Sequence, residues 1–171
     1  MGEMRIVGIR VEAPQNQPVL LLREIEGARY LAIWIGQSEA ASIALQQRGI
    51  EPPRPLTHDL IVNLCAAFDQ QLTEVRIVDM QEGTFYAEMV FSGGAVVSAR
   101  PSDAIAVAMR VGATIVASDE VLDDAGLSMP EEDGETPAEA ASDDDLEAFR
   151  EFLDHVSPED FLGPNPDGPE S

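Results

Sequence analysis

The chain has no lysine: its ten basic residues are all arginines, set against 32 acidic ones, for a formal net charge of −22. Such a balance excludes broad electrostatic attraction to nucleic acid or to an anionic membrane. The cations that are present are of the type suited to bidentate contact with carboxylate or phosphate. Cysteine is almost as scarce. Cys65 alone rules out an internal disulfide and fits a reducing compartment. Two histidines and one cysteine cannot build a zinc site of standard composition within one chain without help from carboxylates. No apolar run approaches the roughly 18 residues needed to cross a bilayer. Met1-Gly2-Glu3-Met4-Arg5 lacks the basic start and apolar run of a signal peptide, so a cytoplasmic location is expected. There is no Walker loop, no dinucleotide-binding glycine pattern, no nucleophile-elbow serine and no His-Glu-x-x-His.

What is present suffices for a packed core, with a hydrophobic fraction of 44% in 171 residues, room for one domain and an extension. The charge divides the chain. Residues 1–125 hold 17 acids and 9 arginines, a net of −8, and residues 126–171 hold 15 acids and one arginine, a net of −14. The expected layout is therefore a domain over 1–126, an acidic flexible linker over 127–142, a C-terminal helical segment over 143–162 and a disordered tail over 163–171. In the helical segment Leu146, Phe149, Phe152, Leu153 and Val156 form an amphipathic stripe, which marks a docking helix.

Within the domain, 4–12, 18–25 and 30–35 read as strands, separated by Pro-Gln-Asn-Gln and Glu-Gly-Ala. The third is apolar on both alternations and is expected to be covered on both faces. A helix from Ser38, as cap, to Arg48 follows. A second runs from Thr57 to Gln71, with Leu60, Ile61, Leu64, Phe68 and Leu72 as its buried stripe and Cys65 bordering it as a small buried hydrophobe. A second meander occupies 73–80, 84–92 and 95–99, then 114–117 forms a last strand and Glu120–Ala125 a short helix. Hairpins in place of βαβ crossovers give an α+β fold: mixed or antiparallel sheets from two β-meanders, packed with three main helices and the C-terminal helix.

The organising stretch is VSARPSDAIAVAMRVG, residues 97–112. Pro101 holds Arg100 extended, Ser102 is placed to cap a helix, Asp103 lies in its first turn, and Ala104 to Met109 have no polar face, as in a buried helix. Arg54-Pro55-Leu56-Thr57-His58-Asp59 repeats the device upstream. Together with Glu39, these entrances supply Arg54, Thr57, His58, Asp59, Arg100, Ser102 and Asp103. Two readings fit the set. In one, carboxylates hold a divalent metal, arginines hold a phosphate and His58 moves a proton. In the other, Ser102 and Thr57 are caps, Asp59 and Asp103 are first-turn acids, and the arginines pair with them. Caps are commoner than catalytic sites, so spacing alone favours the structural reading.

The strings IWIGQSEAASIAL, RPLTHDLIVNL, EGTFYAEMVF and ARPSDAIAVAMRVGA, followed by VASDEVLDDAG, resemble the bifunctional nuclease (BFN) domain family, in order over residues 4–126. The phrase FREFLDHVSPEDF is similar to the segment that ends many members. The resemblance implies an α+β domain that self-associates as a dimer or trimer, an activity degrading RNA and DNA as transient substrates, and no membrane partner. The positions matching the family's polar motifs are Glu39, Arg54, Thr57, His58, Asp59, Arg100, Ser102 and Asp103. For a chain so acidic, that activity implies a divalent cation, magnesium or manganese, on the hard oxygen donors Glu39, Asp59 and Asp103. Arg54 or Arg100 would stabilise charge on phosphorus, and His58 would act as general base or leaving-group acid. The alternative is a non-catalytic regulatory or ligand- or protein-binding oligomer whose polar cluster is an ion-pair network.

Overall fold

The computed structural model describes residues 1–128. Eight strands, β1 (Gly2–Glu12), β2 (Gln17–Glu24), β3 (Arg29–Trp34), β4 (Leu72–Gln81), β5 (Thr84–Phe91), β6 (Val96–Ala99), β7 (Thr114–Ala117) and β8 (Leu127–Ser128), form one sheet. Four helices, α1 (Gln37–Gln47), α2 (Thr57–Ala67), α3 (Pro101–Val111) and α4 (Asp119–Ala125), complete an α+β architecture. The strand order β6-β5-β4-β7-β1-β2-β3-β8 joins the two meanders through β7, which runs parallel to β4 and antiparallel to β1. Leu127 and Ser128, expected to open the linker, instead pair with Tyr30 and Arg29 of β3. The remainder of the expected linker, the C-terminal helix and the tail lie outside the described residues.

α3 is the centre of the helical layer, as its apolar run implies. Ala104 to Ala108 are all at most 1% exposed, and the helix lies against β4 and β5 while α1 and α2 pack on it. Gly112 ends it at φ +68, a left-handed cap that glycine adopts without a Cβ penalty. Single apolar faces of the strands supply the rest of the core: Leu72, Val75 and Ile77 from β4, Ala87, Met89 and Phe91 from β5, and Leu31 and Ile33 from β3.

Two expectations about burial are corrected. β3 is fully buried on one face only, since on the other Tyr30 and Ala32 are half-buried and Trp34 is exposed, and it is β2 that is buried on both, through Val19, Leu20, Leu21 and Leu22. The expected buried stripe of α2 largely faces outward: Leu60, Leu64 and Phe68 are 50%, 48% and 74% exposed, and Leu72 belongs to β4. Ile61, Val62 and Cys65 make the inward contacts, and His58 is the buried residue of the helix. A helix with apolar residues on two sides carries no signal for which side turns inward.

The caps differ as well. α1 begins after Gly36, α2 after Leu56 and α3 after Arg100, so Ser38, Thr57 and Ser102 lie within the first turns instead of capping them. At α3 Pro101 takes the first helical position, where its missing N–H costs nothing. At α2 Asp59 accepts from the Leu56 N–H at 2.8 Å, which does the capping from inside the helix. Among the described residues no helix is long and apolar enough to cross a membrane.

With Ile105 fully enclosed at the junction of these layers, Ile105→Ala is expected to lower unfolding free energy by about 2–5 kcal/mol. Val11→Ala, at an exposed strand position, is expected to stay within about 0.5 kcal/mol of the parent. Urea denaturation of the two variants checks both values.

Candidate functional site

The starts of α2 and α3 and the first half of α1 meet, and the polar residues they carry form one continuous chain of hydrogen bonds. Its dry end is Arg110, in the last turn of α3, with a side chain only 7% exposed. Arg110 Nε donates to Asp59 Oδ1, Nη1 donates to the Ala106 carbonyl at 2.7 Å, and Nη2 donates to Ser42 Oγ at 3.0 Å. Ser42 Oγ lies 2.8 Å from His58 Nδ1, and His58 Nε2 lies 3.0 Å from Asp103 Oδ1. Asp103 Oδ2 accepts from Arg100 Nε at 2.7 Å, and Arg100 Nη2 donates to Glu39 Oε1 at 2.8 Å. At this wet end the Arg100 side chain is 66% exposed.

An ionised carboxylate can only accept, so His58 carries a hydrogen on Nε2 and donates it to Asp103. Ser42 Oγ, which accepts from Arg110, pairs with His58 Nδ1. Both ring nitrogens are engaged and the residue is buried, so His58 bridges α1 and α3 rather than facing solvent as a free base. No buried side-chain nitrogen or oxygen among the described residues is left without a partner.

The charges follow the contacts. At Asp59 the hydrogen bond from Arg110 outweighs burial, and with the Leu56 N–H it holds the carboxyl below the usual aspartate range. At Asp103 burial works against ionisation, but hydrogen bonds from Arg100 and His58 overcome it and the carboxyl is again held low. The two carboxylates raise the Arg100 guanidinium further above its ordinary value, Asp103 most.

Of the residues singled out in the sequence, Glu39, His58, Asp103, Arg100 and Asp59 are thus brought together. Arg54 is exposed on the approach to α2 and Thr57 at its first position, and Arg54 makes no hydrogen bond or ion pair among the described residues. Ser102 is buried in the first turn of α3. Two members went unrecognised, Ser42 and Arg110. Ser42 sits in a helix with little apolar bias, and Arg110 reads as an ordinary basic residue in a last turn. The only available hint was a lone arginine ending the most apolar helix of the chain.

The expected metal ligands do not fit a divalent ion as arranged. Asp59 is taken by Arg110 and a backbone N–H, Asp103 by Arg100 and His58, and Glu39 by Arg100. The Arg100 guanidinium stands between Glu39 and Asp103 where an ion sharing them would have to lie. Among the described residues no three His, Cys, Asp or Glu side chains group as metal ligands.

Two outcomes follow from this geometry. Because the Asp59 and Asp103 carboxyls are depressed in the folded state, their stabilisation is complete above the ordinary aspartate pKa of about 3.9. It is lost as pH falls through the lower folded values. Asp59→Asn is expected to cost about 3 kcal/mol at pH 7, by leaving Arg110 buried without its carboxylate, and to flatten the acid limb of a stability–pH curve measured in urea. At Gly36 an added Cβ would sit 2.1 Å from Glu39 Oε2, the movable end of a side chain. Gly36→Ala is therefore expected to displace Glu39 from Arg100 while leaving the fold intact, which a crystal structure of the variant checks.

The family described as the bifunctional nuclease domain matches residues 20–130. Two proteins of Mycobacterium tuberculosis, one from each of two strains and both named as uncharacterized, are 63% identical over 161 residues, which is 94% of this chain and 98% of theirs. The match spans all the residues of the hydrogen-bonded chain from Glu39 to Arg110, and the protein belongs to the bifunctional nuclease domain family.

Proposed function

We propose that the protein is a nuclease that hydrolyses phosphodiester bonds of RNA and DNA at the wet end of this chain of contacts. Family membership supports the reaction class, and the observation that carries the assignment is Arg100. Its guanidinium is held from behind by Glu39 and Asp103 through Nη2 and Nε, while Nη1 has no partner among the described residues. An arginine so fixed can donate to a non-bridging phosphate oxygen and gains strength as charge builds there. Exposed Arg54 is a second cation for the flanking phosphate. In this reading water attacks phosphorus, Asp103 takes one of its protons, the bond from phosphorus to the sugar oxygen breaks, and that oxygen takes a proton from solvent, to which Asp103 afterwards returns its own. His58 is a positioning residue that fixes Asp103, and Ser42 and Arg110 fix His58. Magnesium or manganese has no role in these steps; each would require Arg100 to leave its carboxylates.

A second reading, a non-catalytic binding oligomer, is favoured by the full pairing of the buried members. Arg100→Ala separates the two, because the side chain is mostly exposed and its loss leaves the buried contacts of Arg110, Asp59, Ser42 and His58 in place. A nuclease is expected to lose roughly 10²–10³-fold in kcat on labelled RNA and DNA, with the fold retained and the melting temperature only modestly lowered by loss of the Asp103 and Glu39 contacts. It is also expected to cleave equally with and without chelator. Equal cleavage by parent and variant purified identically would leave the non-catalytic reading standing.

A further inference from the structure

The face of β1, β2 and β3 turned away from the helices gathers residues that lie far apart in the sequence. Cross-strand register sets them in rows. Arg5, Arg23 and Tyr30 stand opposite one another in one row, and Arg10, Val19 and Trp34 in another. Between the two rows lie Gly8, Leu21 and Ala32. Directly paired residues point to the same side of a sheet, so these rows share one face. Leu20, Leu22, Leu31 and Ile33 point the other way and join the core, and α1 and α4 pack on β2 and β3 from that side.

Three features set this face apart. It holds three of the chain's ten basic residues, in a molecule with 32 acids, and none of the three pairs with a carboxylate among the described residues. The acids on the same alternation of β1, Glu3 and Glu12, stand beyond Arg5 and Arg10 at its two ends. Its aromatic rings are accessible. Trp34, the sole tryptophan, is 54% exposed, and the Arg23 guanidinium lies over the Tyr30 ring, 5.6 Å from its centroid. Its floor is open, because a Cβ added at Gly8 would meet nothing within 4 Å.

We infer that this face binds single-stranded nucleic acid, as a second, non-catalytic contact apart from Arg100. Tyr30 and Trp34 are four residues apart on β3, about 13 Å, so a base can stack on each while the connecting backbone crosses the low floor. The Arg23 guanidinium over Tyr30 offers a further stacking plane. Arg5 and Arg10 border the path as cations for the phosphates. A duplex keeps its bases stacked on one another and has none to give these rings. Anionic lipid would also meet arginine and tryptophan, but an anchor of that kind needs a broad apolar face. Here Val19 and Leu21 are buried between the longer side chains. Trp34 ends β3, and Glu39, which holds Arg100, follows in the first turn of α1, so a strand leaving the face at that end approaches the proposed site. The inference rests on the nuclease reading only in taking nucleic acid as the anion. The family match begins at residue 20, so Arg5 and Arg10 lie outside it.

Trp34 reports on its own face, because no other tryptophan contributes emission. Rapid mixing of the full chain with an oligothymidylate of about 12 nucleotides is expected to quench that emission ahead of any cleavage. By stopped-flow anisotropy of a labelled strand, the matched duplex is expected to bind roughly tenfold more weakly or worse. Trp34→Ala and Gly8→Glu should each raise the dissociation constant for the single strand roughly tenfold, with far-ultraviolet circular dichroism unchanged. Arg5→Gln, Arg10→Gln and Arg23→Gln should each reduce the slope of log affinity against log salt by about 0.7, and they carry the test if Gly8→Glu does not fold. No quenching by the oligonucleotide, equal binding of duplex, indifference to the arginine variants, or quenching by phosphatidylserine vesicles alone would overturn the inference. Quenching without cleavage would support this face and overturn the nuclease reading; cleavage without quenching would do the reverse.

Discussion

A guanidinium cannot shed its charge inside a protein, so an arginine folded into a helical junction dictates what surrounds it. Arg110 stands in that position. Its donors require an acceptor from each of the three neighbouring helical segments, and they find Asp59 on α2, Ser42 on α1 and the Ala106 carbonyl on α3 itself. From that demand the rest of the arrangement follows. Asp59 is fixed at the start of α2, and its other oxygen caps the helix. Ser42 accepts from Arg110 and pairs with His58 Nδ1. His58 in turn must donate to Asp103, and Asp103 and Glu39 hold Arg100 at the surface. Buried ion pairs are weak evidence for stability in themselves, because desolvation offsets attraction. Here the pair acts as a register mark, one that admits a single seating of α2 on α3.

The same chain of contacts explains how a strongly acidic molecule can present a cation without being generally attractive to polyanions. Two arginines stand against three carboxylates, and of the two only the outer guanidinium reaches solvent. Any affinity for a phosphodiester at this site is confined to the few ångströms around Arg100 and exposed Arg54. That locality sets this surface apart from the broad basic faces of proteins that track along nucleic acid.

α2 is the element on which the core and the polar chain converge. Its inner side meets the core through Ile61, Val62 and Cys65, its first turn holds His58 and Asp59, and its outer side carries exposed Leu60, Leu64 and Phe68. A helix of this length has little stability of its own in water. It is held by what packs on its inner side, and a change there is coupled to the site through one rigid element.

Much of the fold was legible in the amino-acid sequence because its signals are local. Alternating apolar runs gave the seven main strands to within a residue or two. The all-apolar run from Ala104 to Met109 named the central helix before any neighbour was known. The first-turn acids Asp59 and Asp103 and the exposed extended Arg100 followed from Pro101, helix polarity and spacing. Local signals also misled where two were equally good. Ser102 and Thr57 look like caps, yet α3 starts at Pro101 with no side-chain cap and at α2 Asp59 does that work, and α2 is apolar on both sides, so periodicity could not say which side is inside. Ser42 and Arg110 carried no signal because burial of a polar residue is a property of its surroundings. Sequence by itself determined which segments are strands and helices and which faces could be apolar. Only the tertiary structure decided which apolar face turned inward and which arginine was buried, because those choices depend on acceptors and contacts from segments distant along the chain.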